Sequence, residues 1–260
     1  AANRGAALPD LYYPILAAGL IFAAFTAIAS AFVKTPYGRF ASDKVGPSLP
    51  IRAGWLLMEA PAPLVFAAVF VMSGGANAPI PLFFAGIWAL HYGNRALYFP
   101  LAMKPRPSSR MALVVVVSGM GVCAVHGWLY ATWIAAAPHL TLGWLADPRL
   151  WIGLGLYFSG FVLNVHSDSL LRGLRGSRPD DGAYVIPQGG GFRWVSSPHY
   201  LGEILAWSGL ALATWCPGGL FVLTVTLANL VPRALATHRW YLKRFEDYPS
   251  ERKALIPWVL

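Results

Sequence analysis

Charged side chains are scarce in this sequence. Asp, Glu, Lys and Arg together make up 12% of the 260 residues, whereas hydrophobic residues make up 57%. Soluble domains usually carry about twice that charged fraction. The apolar residues also gather in runs that are too long for the core helices of a soluble domain. We therefore predict an all-α integral membrane protein.

Cysteine is equally rare. Cys123 and Cys216 are the only two cysteines, and they lie in separate apolar segments. This excludes a disulfide framework, and no short element carries His, Cys and Asp at metal-ligand spacing, so we predict no metal site. The sequence also lacks a Gly-x-Gly-x-x-Gly unit between a strand and a helix, which excludes a Rossmann site.

Seven apolar segments each approach the ~20 residues that cross a hydrocarbon core of ~30 Å. They cover about residues 12–33, 53–73, 80–101, 111–137, 149–171, 197–214 and 217–236. Pro61 and Pro63 are expected to break the second segment locally. The sixth and seventh are separated only by Trp215-Cys216-Pro217, which predicts a tight turn. The tail, 237–260, is predicted to hold a short amphipathic helix at the membrane surface.

The basic residues predict the orientation of these helices. All but three of the 20 lysines and arginines fall in the first, third and fifth loops and the C-terminal tail. The positive-inside rule therefore favours seven transmembrane helices with the N-terminus outside and the C-terminus in the cytosol. This topology accounts for the net charge of +9, so we predict no nucleic-acid partner.

Three ionisable residues stand out inside predicted spans: Glu59, Arg95 and Glu203. Such groups are costly at membrane depth, which makes each of them a functional hypothesis. Tyr92 and His91 lie in the same two turns as Arg95. A carboxyl and a phenol that face one cavity can polarise a carbonyl and stabilise the oxyanion that forms. Structural ion pairs and interhelical hydrogen bonds are the alternative interpretation.

A glycine-rich loop precedes the sixth segment. Gln188 is followed by three glycines, which let backbone N–H groups approach a ligand closely. Ser197 and Pro198 are predicted to be the N-cap and the first residue of the next helix, and a helix start beside a glycine loop is a natural anion site.

Arginines are expected at the same level as this loop. They are Arg106, Arg172, Arg175, Arg193, Arg233 and Arg239. Two polar stripes carry several of these residues at helical spacing: Asn164, Asp168, Arg172 and Arg175, and Arg233, Thr237 and Tyr241, with His238 adjacent. Guanidinium groups suit bidentate contacts with phosphates. The cluster fits a pyrophosphate with a further phosphate, or an anionic lipid surface.

Several motifs resemble the steroid 5α-reductase family, in a bacterial-type form. They are Asn164-Val-His-Ser-Asp168, Tyr184-Val-Ile-Pro-Gln-Gly-Gly190, Tyr200-Leu-Gly-Glu203 with Trp207, Arg239-Trp-Tyr-Leu-Lys-Arg-Phe-Glu-Asp-Tyr-Pro249 and Arg252-Lys-Ala-Leu-Ile-Pro257. The resemblance is dense over about residues 160–260 and looser before them.

The resemblance implies an NADPH-dependent reductase of the Δ4 double bond of 3-oxo-Δ4 steroids. Glu59 and Tyr92 would be catalytic and would bind the steroid 3-carbonyl while hydride reaches C5. The implied cofactor-binding residues are Arg106, Asn164, Asp168, Arg175, Tyr184, His199, Glu203, Arg233, His238 and Tyr241. Glu203, about one turn into its helix, is expected to lie near the cofactor rather than near the substrate carbonyl.

The resemblance further implies a single domain, 1–260, with substrate-side helices at about 12–136 and a cofactor-binding part at about 149–260. The expected partners are the steroid and membrane lipid, and the expected state is a monomer. The membrane would be a bacterial inner membrane, or the endoplasmic reticulum in a eukaryote, with the cofactor site facing the cytosol.

Four positions depart from the mammalian pattern of this family: Met58, Met103, His199 and Thr237. Other enzyme classes also stay open. A membrane reductase of another enone, a sterol or an enoyl thioester would use the same loop and helix. An isoprenylcysteine-type methyltransferase shares a similar Pro-His-Tyr helix start, and a lipid-binding scaffold would need no catalytic groups.

Overall fold

The computed structural model describes residues 8–32, 46–176 and 184–260, without the side chains of residues 31, 32, 175 and 176. Within these ranges the chain is almost entirely helical. The regular elements are α1 (Tyr12–Phe32), β1 (Ser48–Pro50), α2 (Ile51–Glu59), α3 (Pro61–Met72), α4 (Pro79–Tyr92), a π-helix (Gly93–Tyr98), α5 (Phe99–Ala102), β2 (Arg110–Ala112), α6 (Leu113–Ala136), α7 (Pro148–Gly176), α8 (Pro198–Thr214) and α9 (Gly218–Arg244).

Five stretches of helix are long and apolar enough to cross a membrane. They are Tyr12–Ser30, Ile51–Met72, Leu113–Ala136, Pro148–Leu174 and Gly218–Arg244. The third predicted segment is divided by the π-helix, and the helix of the sixth, α8, has only 17 residues. An all-α, multi-pass membrane protein is thereby confirmed, whereas seven spans and their orientation stay predictions.

The second predicted segment breaks where its prolines indicated. Helix α2 ends at Glu59, and α3 begins at Pro61. Ala60 keeps helical backbone angles and donates to the Leu56 carbonyl at 3.1 Å. Pro61 has no N–H to give to the carbonyl four residues before it, so a hydrogen bond is missing beside Glu59. The local break is confirmed, and it places a carboxyl where the helix is irregular.

The third predicted segment is not one regular helix, as the sequence had suggested. After Tyr92 the chain forms a π-helix in which the Phe99 N–H bonds to the Asn94 carbonyl, five residues back. Pro100 follows immediately, and it cannot donate a backbone hydrogen bond. π-Helical turns are rare and occur frequently at functional sites. This one carries Arg95 directly after Tyr92.

A short antiparallel sheet corrects the predicted start of the fourth segment. Strand β1 pairs with β2, with Leu49 opposite Met111, and α6 therefore begins at Leu113 instead of residue 111. The Arg110 guanidinium donates to the Ser48 carbonyl at 2.6 Å, which fixes the pair. The pairing joins residues that lie far apart in the chain, so helical periodicity could not reveal it.

Glycines allow α7 and α8 to touch along their backbones. Gly153 and Gly160 on α7 face Gly209 and Gly202 on α8, and a Cβ atom added at any of them would lie 2.3–2.5 Å from the nearest atom of the opposite backbone. Small residues permit such close approach of helices in membranes. The contact brings Asn164, one turn beyond Gly160, against the start of α8.

The predicted tight turn between the sixth and seventh segments is confirmed. Trp215 has a left-handed backbone, with φ 48°, and α9 begins at Gly218. The helix predicted within 237–260 is present as far as Arg244, but it is the end of α9, which continues unbroken past Pro232, and not a short helix of its own. Beyond α9 the tail returns to the glycine loop, where Lys253 and Val195 form a parallel bridge.

Candidate active site

Glu59 is a buried carboxyl at the end of α2, with 7% of its surface exposed. Its Oε1 lies 3.3 Å from Arg95 Nε, and its Oε2 accepts a hydrogen bond from Cys123 Sγ at 3.8 Å. The Arg95 guanidinium also lies over the Trp55 ring, 4.8 Å from its centroid. The irregular ends of two helices thus hold a carboxyl and a guanidinium together inside the protein.

Tyr92, the last residue of α4, is 3% exposed. Its Oη lies 2.9 Å from Nδ1 of His126 on α6. His126 and Cys123 are three residues apart on the same helix, so they share a face. Glu59 and Tyr92 therefore both contact that face of α6. Contacts with one face of α6 bring the two predicted catalytic residues to one place, although no site residue was predicted on that helix.

His126 and Cys123 were missed. The signal for His126 was present, because an ionisable residue in the middle of an apolar span is costly and calls for a functional explanation. Its partner Tyr92 lies 34 residues away, so spacing within one helix gave no indication of the pair.

Glu203 lies between the two groups of predicted residues. Its Oε1 accepts a hydrogen bond from Trp207 Nε1 at 2.9 Å, and its Oε2 accepts one from Asn164 Nδ2 at 3.1 Å. Oε1 also lies 3.5 Å from Nε2 of His91, the neighbour of Tyr92. Glu203 therefore contacts a predicted cofactor residue on one side and the Tyr92 end of α4 on the other.

Aromatic rings enclose this polar centre. The Trp207 ring lies 4.2 Å from His91 and 4.6 Å from His126, measured between centroids. The Trp88 ring is tilted against that of Tyr92, with centroids 4.9 Å apart. Rings of this size exclude water, and a low dielectric strengthens each hydrogen bond among the enclosed groups.

The glycine loop has the backbone freedom that its sequence predicted. Gly189 and Gly190 both have positive φ, 83° and 49°, which side chains with a Cβ rarely adopt. Ser197 does occupy the N-cap position of α8, but its side chain makes no capping hydrogen bond. The predicted N-cap position and helix start are therefore confirmed, without a side-chain capping hydrogen bond.

Three distant segments meet the first half of this loop. The Arg252 guanidinium is buried and donates to the Pro187 carbonyl at 2.9 Å and to Gln188 Oε1 at 2.8 Å. Arg106 lies over the Tyr184 ring at 4.9 Å, and Trp240 meets the same ring edge-on at 4.8 Å. The loop is thus the place where the third loop, α9 and the C-terminal tail converge.

The predicted residues of α7 and α8 lie close together. Asn164 and Asp168 are buried one turn apart on α7, and Asn164 also donates to the His199 carbonyl at 2.9 Å. Arg172, a further turn along, lies over the Tyr98 ring at 5.2 Å. Arg175 is in the last turn of α7, but its side chain falls outside the described part of the chain.

The predicted residues of α9 face the loop and the tail. Arg233 Nε donates to Tyr200 Oη at 2.8 Å, which links α9 to α8. His238 Nδ1 lies 2.7 Å from Ser196 Oγ, just before α8. Tyr241 is buried and stacks on Tyr248 of the tail at 5.2 Å. Every predicted cofactor residue whose side chain is described thus lies in α7, α8, α9 or the segments packed on their ends.

The fold and this site together define a multi-pass helical membrane protein with a buried polar centre and a basic, glycine-containing face beside it. A family model described as 3-oxo-5-alpha-steroid 4-dehydrogenase matches residues 109–260. Curated relatives match over a longer stretch. The 3-oxo-5-alpha-steroid 4-dehydrogenase 1 of Macaca fascicularis is 38% identical over 226 residues, which are 86% of this chain and 84% of the relative.

Two further relatives extend this likeness. The 3-oxo-5-alpha-steroid 4-dehydrogenase 2 of Homo sapiens is 36% identical over 95% of this chain and 96% of its own length. The steroid 5-alpha-reductase DET2 of Solanum lycopersicum is 35% identical over 92% of this chain and 93% of its own length. The chain belongs to the 3-oxo-5-alpha-steroid 4-dehydrogenase family, so the resemblance stated from its motifs is confirmed. This membership places it among membrane oxidoreductases.

Proposed function

We propose that this protein reduces the Δ4 double bond of 3-oxo-Δ4 steroids with NADPH and yields 5α-reduced 3-oxosteroids. The observation that carries the proposal is the placement of Glu59 and Tyr92. Both are buried, and they lie on neighbouring helices against the same face of α6. Family membership supports the reaction class, because the relatives are named 3-oxo-5-alpha-steroid 4-dehydrogenase or steroid 5-alpha-reductase.

The chemistry explains why these side chains belong together. Hydride addition at C5 of an enone moves negative charge onto the 3-oxygen, and the gain of a proton at C4 completes the reduction. Hydrogen-bond donors at the oxygen stabilise the charge as it develops. The Tyr92 hydroxyl is one donor, and Glu59 is a second when its carboxyl carries a proton. Arg95, 3.3 Å from Glu59, adds positive charge on the same side.

The cofactor-binding groups proposed here match the chemistry of NADPH. When bound, NADPH supplies the hydride. Guanidinium groups of Arg106, Arg175 and Arg233 would bind its phosphates. The glycine loop suits close backbone contact with such groups, since nothing lies within 4 Å of the position that a Cβ of Gly189 would occupy.

We also propose that the loops that would bind a soluble cofactor all lie on the same side of the membrane. In the proposed topology α4 with its π-helix, and α8, cross the membrane in addition to the five long helices. The N-terminus then lies outside, and the glycine loop and C-terminal tail lie in the cytosol. The protein acts as a monomer in a bacterial inner membrane or the endoplasmic reticulum, with substrate-side helices before residue 137 and the cofactor-binding part after residue 148.

The test is a direct assay of the purified protein in detergent or lipid nanodiscs. It is incubated with NADPH and testosterone or progesterone, and both NADPH absorbance and steroid products are followed. Steroid-dependent oxidation of NADPH with a 5α-reduced product supports the proposal. Parallel incubations contain a sterol, an enoyl thioester, or S-adenosylmethionine with a prenylated cysteine. Turnover in one of those alone, with none for the steroid, would replace the proposal by that alternative.

A further inference from the structure

His126 is a buried imidazole for which the reaction as described has no role. It lies on α6 with 4% of its surface exposed, and its Nδ1 is 2.9 Å from Tyr92 Oη. Its Nε2 is also buried and makes no hydrogen bond within the described part of the chain. The Trp88 and Trp207 rings meet the imidazole nearly edge-on, with centroids 4.7 and 4.6 Å away. These rings fix the imidazole, and Tyr92 is its polar partner.

The tautomer of His126 decides whether the Tyr92 hydroxyl can donate a hydrogen bond to a substrate. A neutral imidazole carries one proton, so Nδ1 either donates to Tyr92 Oη or accepts from it. If Nδ1 accepts, the single hydroxyl proton of Tyr92 is committed to it, and the Nε2–H is left as a buried donor without a partner. If Nδ1 donates, the Tyr92 proton stays available, and Nε2 is left with only a lone pair. When a ketone oxygen accepts the Tyr92 proton, the second arrangement leaves only a lone pair unpaired, whereas the first leaves a buried N–H without a partner, which is the rarer case in proteins.

We propose that His126 is a positioning residue that donates its Nδ1–H to Tyr92 Oη and so keeps the Tyr92 hydroxyl proton for the ketone oxygen of the substrate. The inference rests on the proposed function, because it assigns the free hydroxyl to the 3-oxygen of the steroid. Donors connected in this way polarise one another, so the bond from Tyr92 strengthens as negative charge grows on that oxygen. His126 keeps its proton throughout.

Two substitutions separate this role from simple packing. His126→Phe keeps an aromatic ring but removes the N–H, whereas His126→Asn retains an N–H donor near the position of Nδ1. We expect His126→Phe to lower kcat about tenfold, the size of one hydrogen bond, with unchanged affinity for NADPH. His126→Asn should restore most of this loss. Failure of the asparagine variant to recover any activity while it remains folded would contradict the proposal.

A double-mutant cycle with Tyr92→Phe tests whether His126 acts through Tyr92. Once the hydroxyl is gone, replacing His126 by phenylalanine should cause no further loss of kcat. If the two losses multiply, the residues act independently and the proposed coupling is wrong. Ser118→Ala, at an exposed position on the same helix, is the control for general effects of substitution in α6.

A measurement without turnover keeps the inference separate from the proposed function. NMR of protein labelled with isotopic nitrogen in histidine reports which ring nitrogen is protonated, and loss of the signal in His126→Phe assigns it. A protonated Nδ1 supports the proposal, and an unprotonated Nδ1 overturns it even if steroids are reduced. Absence of steroid reduction would overturn the proposed function, and the NMR result would still decide the donor assignment on which this inference rests.

Discussion

Replacing Tyr92 by phenylalanine removes one hydroxyl from the centre of the site and leaves the ring in place. The aromatic contacts with Trp88 at 4.9 Å and Trp207 at 6.1 Å remain available to phenylalanine. The loss is therefore that of a hydrogen-bond donor to the developing oxyanion. Removal of one such donor lowers kcat by about 10²–10³, or ~3–4 kcal/mol of transition-state stabilisation. We expect a fall in kcat of that size with little change in NADPH affinity.

The same substitution also has a cost in stability. It leaves His126 Nδ1 buried without its 2.9 Å partner, and an unsatisfied buried polar group costs about 1–3 kcal/mol. The thermal unfolding of each variant is therefore measured by fluorescence-detected size-exclusion chromatography alongside its kinetics, so that misfolding is not taken for a loss of catalysis. Steroid-dependent NADPH oxidation gives kcat, and quenching of tryptophan fluorescence gives cofactor affinity.

Tyr130→Phe is the matched control. Tyr130 is equally buried on α6, but its hydroxyl lies beside Gly219 at the start of α9. Its removal should leave kcat nearly unchanged. Two results would refute the reasoning: a Tyr92→Phe enzyme that turns over like the wild type, or one that loses NADPH affinity as much as kcat. The second would place Tyr92 in the cofactor pocket.

Three other substitutions test the remaining parts of the structure. Gly160→Val should destabilise the protein by at least ~1–3 kcal/mol through overpacking against α8, whereas Gly155→Val, where no atom lies within 4 Å of the added Cβ, should leave the melting temperature nearly unchanged. Arg233→Ala should weaken NADPH binding about 10–100-fold, the value of a charge-assisted hydrogen bond. Arg149 lies on the opposite side of the membrane in the proposed topology, so Arg149→Ala should leave NADPH affinity unchanged. If Arg233→Ala also leaves NADPH affinity unchanged, Arg233 does not belong to the cofactor site. Arg252→Met, which cuts two hydrogen bonds to the glycine loop, should raise the Kd for NADPH and increase proteolysis of the loop. Wild-type values for both would show that the tail does not order the loop.

Glu203 lies where the predicted substrate-side helices meet the predicted cofactor-binding part. The sequence suggested that this residue belongs near the cofactor and away from the substrate carbonyl. Its carboxylate contacts Asn164 on one side and His91 on the other, and His91 precedes Tyr92. Glu203 therefore connects the predicted cofactor residues with the predicted catalytic tyrosine through His91.

The class of this protein followed from the sequence alone. Long apolar runs can satisfy their backbone groups in lipid only as helices, so hydropathy predicts membrane helices without knowledge of the fold. The break beside Glu59 and the turn at Trp215 were predicted for a similar local reason, since proline lacks an N–H wherever it stands. The cost of burying the Glu59 and Glu203 carboxylates in a membrane can likewise be predicted from the apolar segments in which they lie.

Other features depended on tertiary contacts. The β1–β2 pair joins segments that are distant in the chain, so helical periodicity could not predict it. The sequence pattern also did not predict the π-helix after Tyr92 or the continuation of α9 to Arg244. The partnership of Tyr92 with His126 could not be predicted, because it requires α4 and α6 to lie side by side at one particular depth. The sequence by itself determined which residues are costly to bury in a membrane. Only the tertiary structure decided which of them meet, because that depends on how the helices pack.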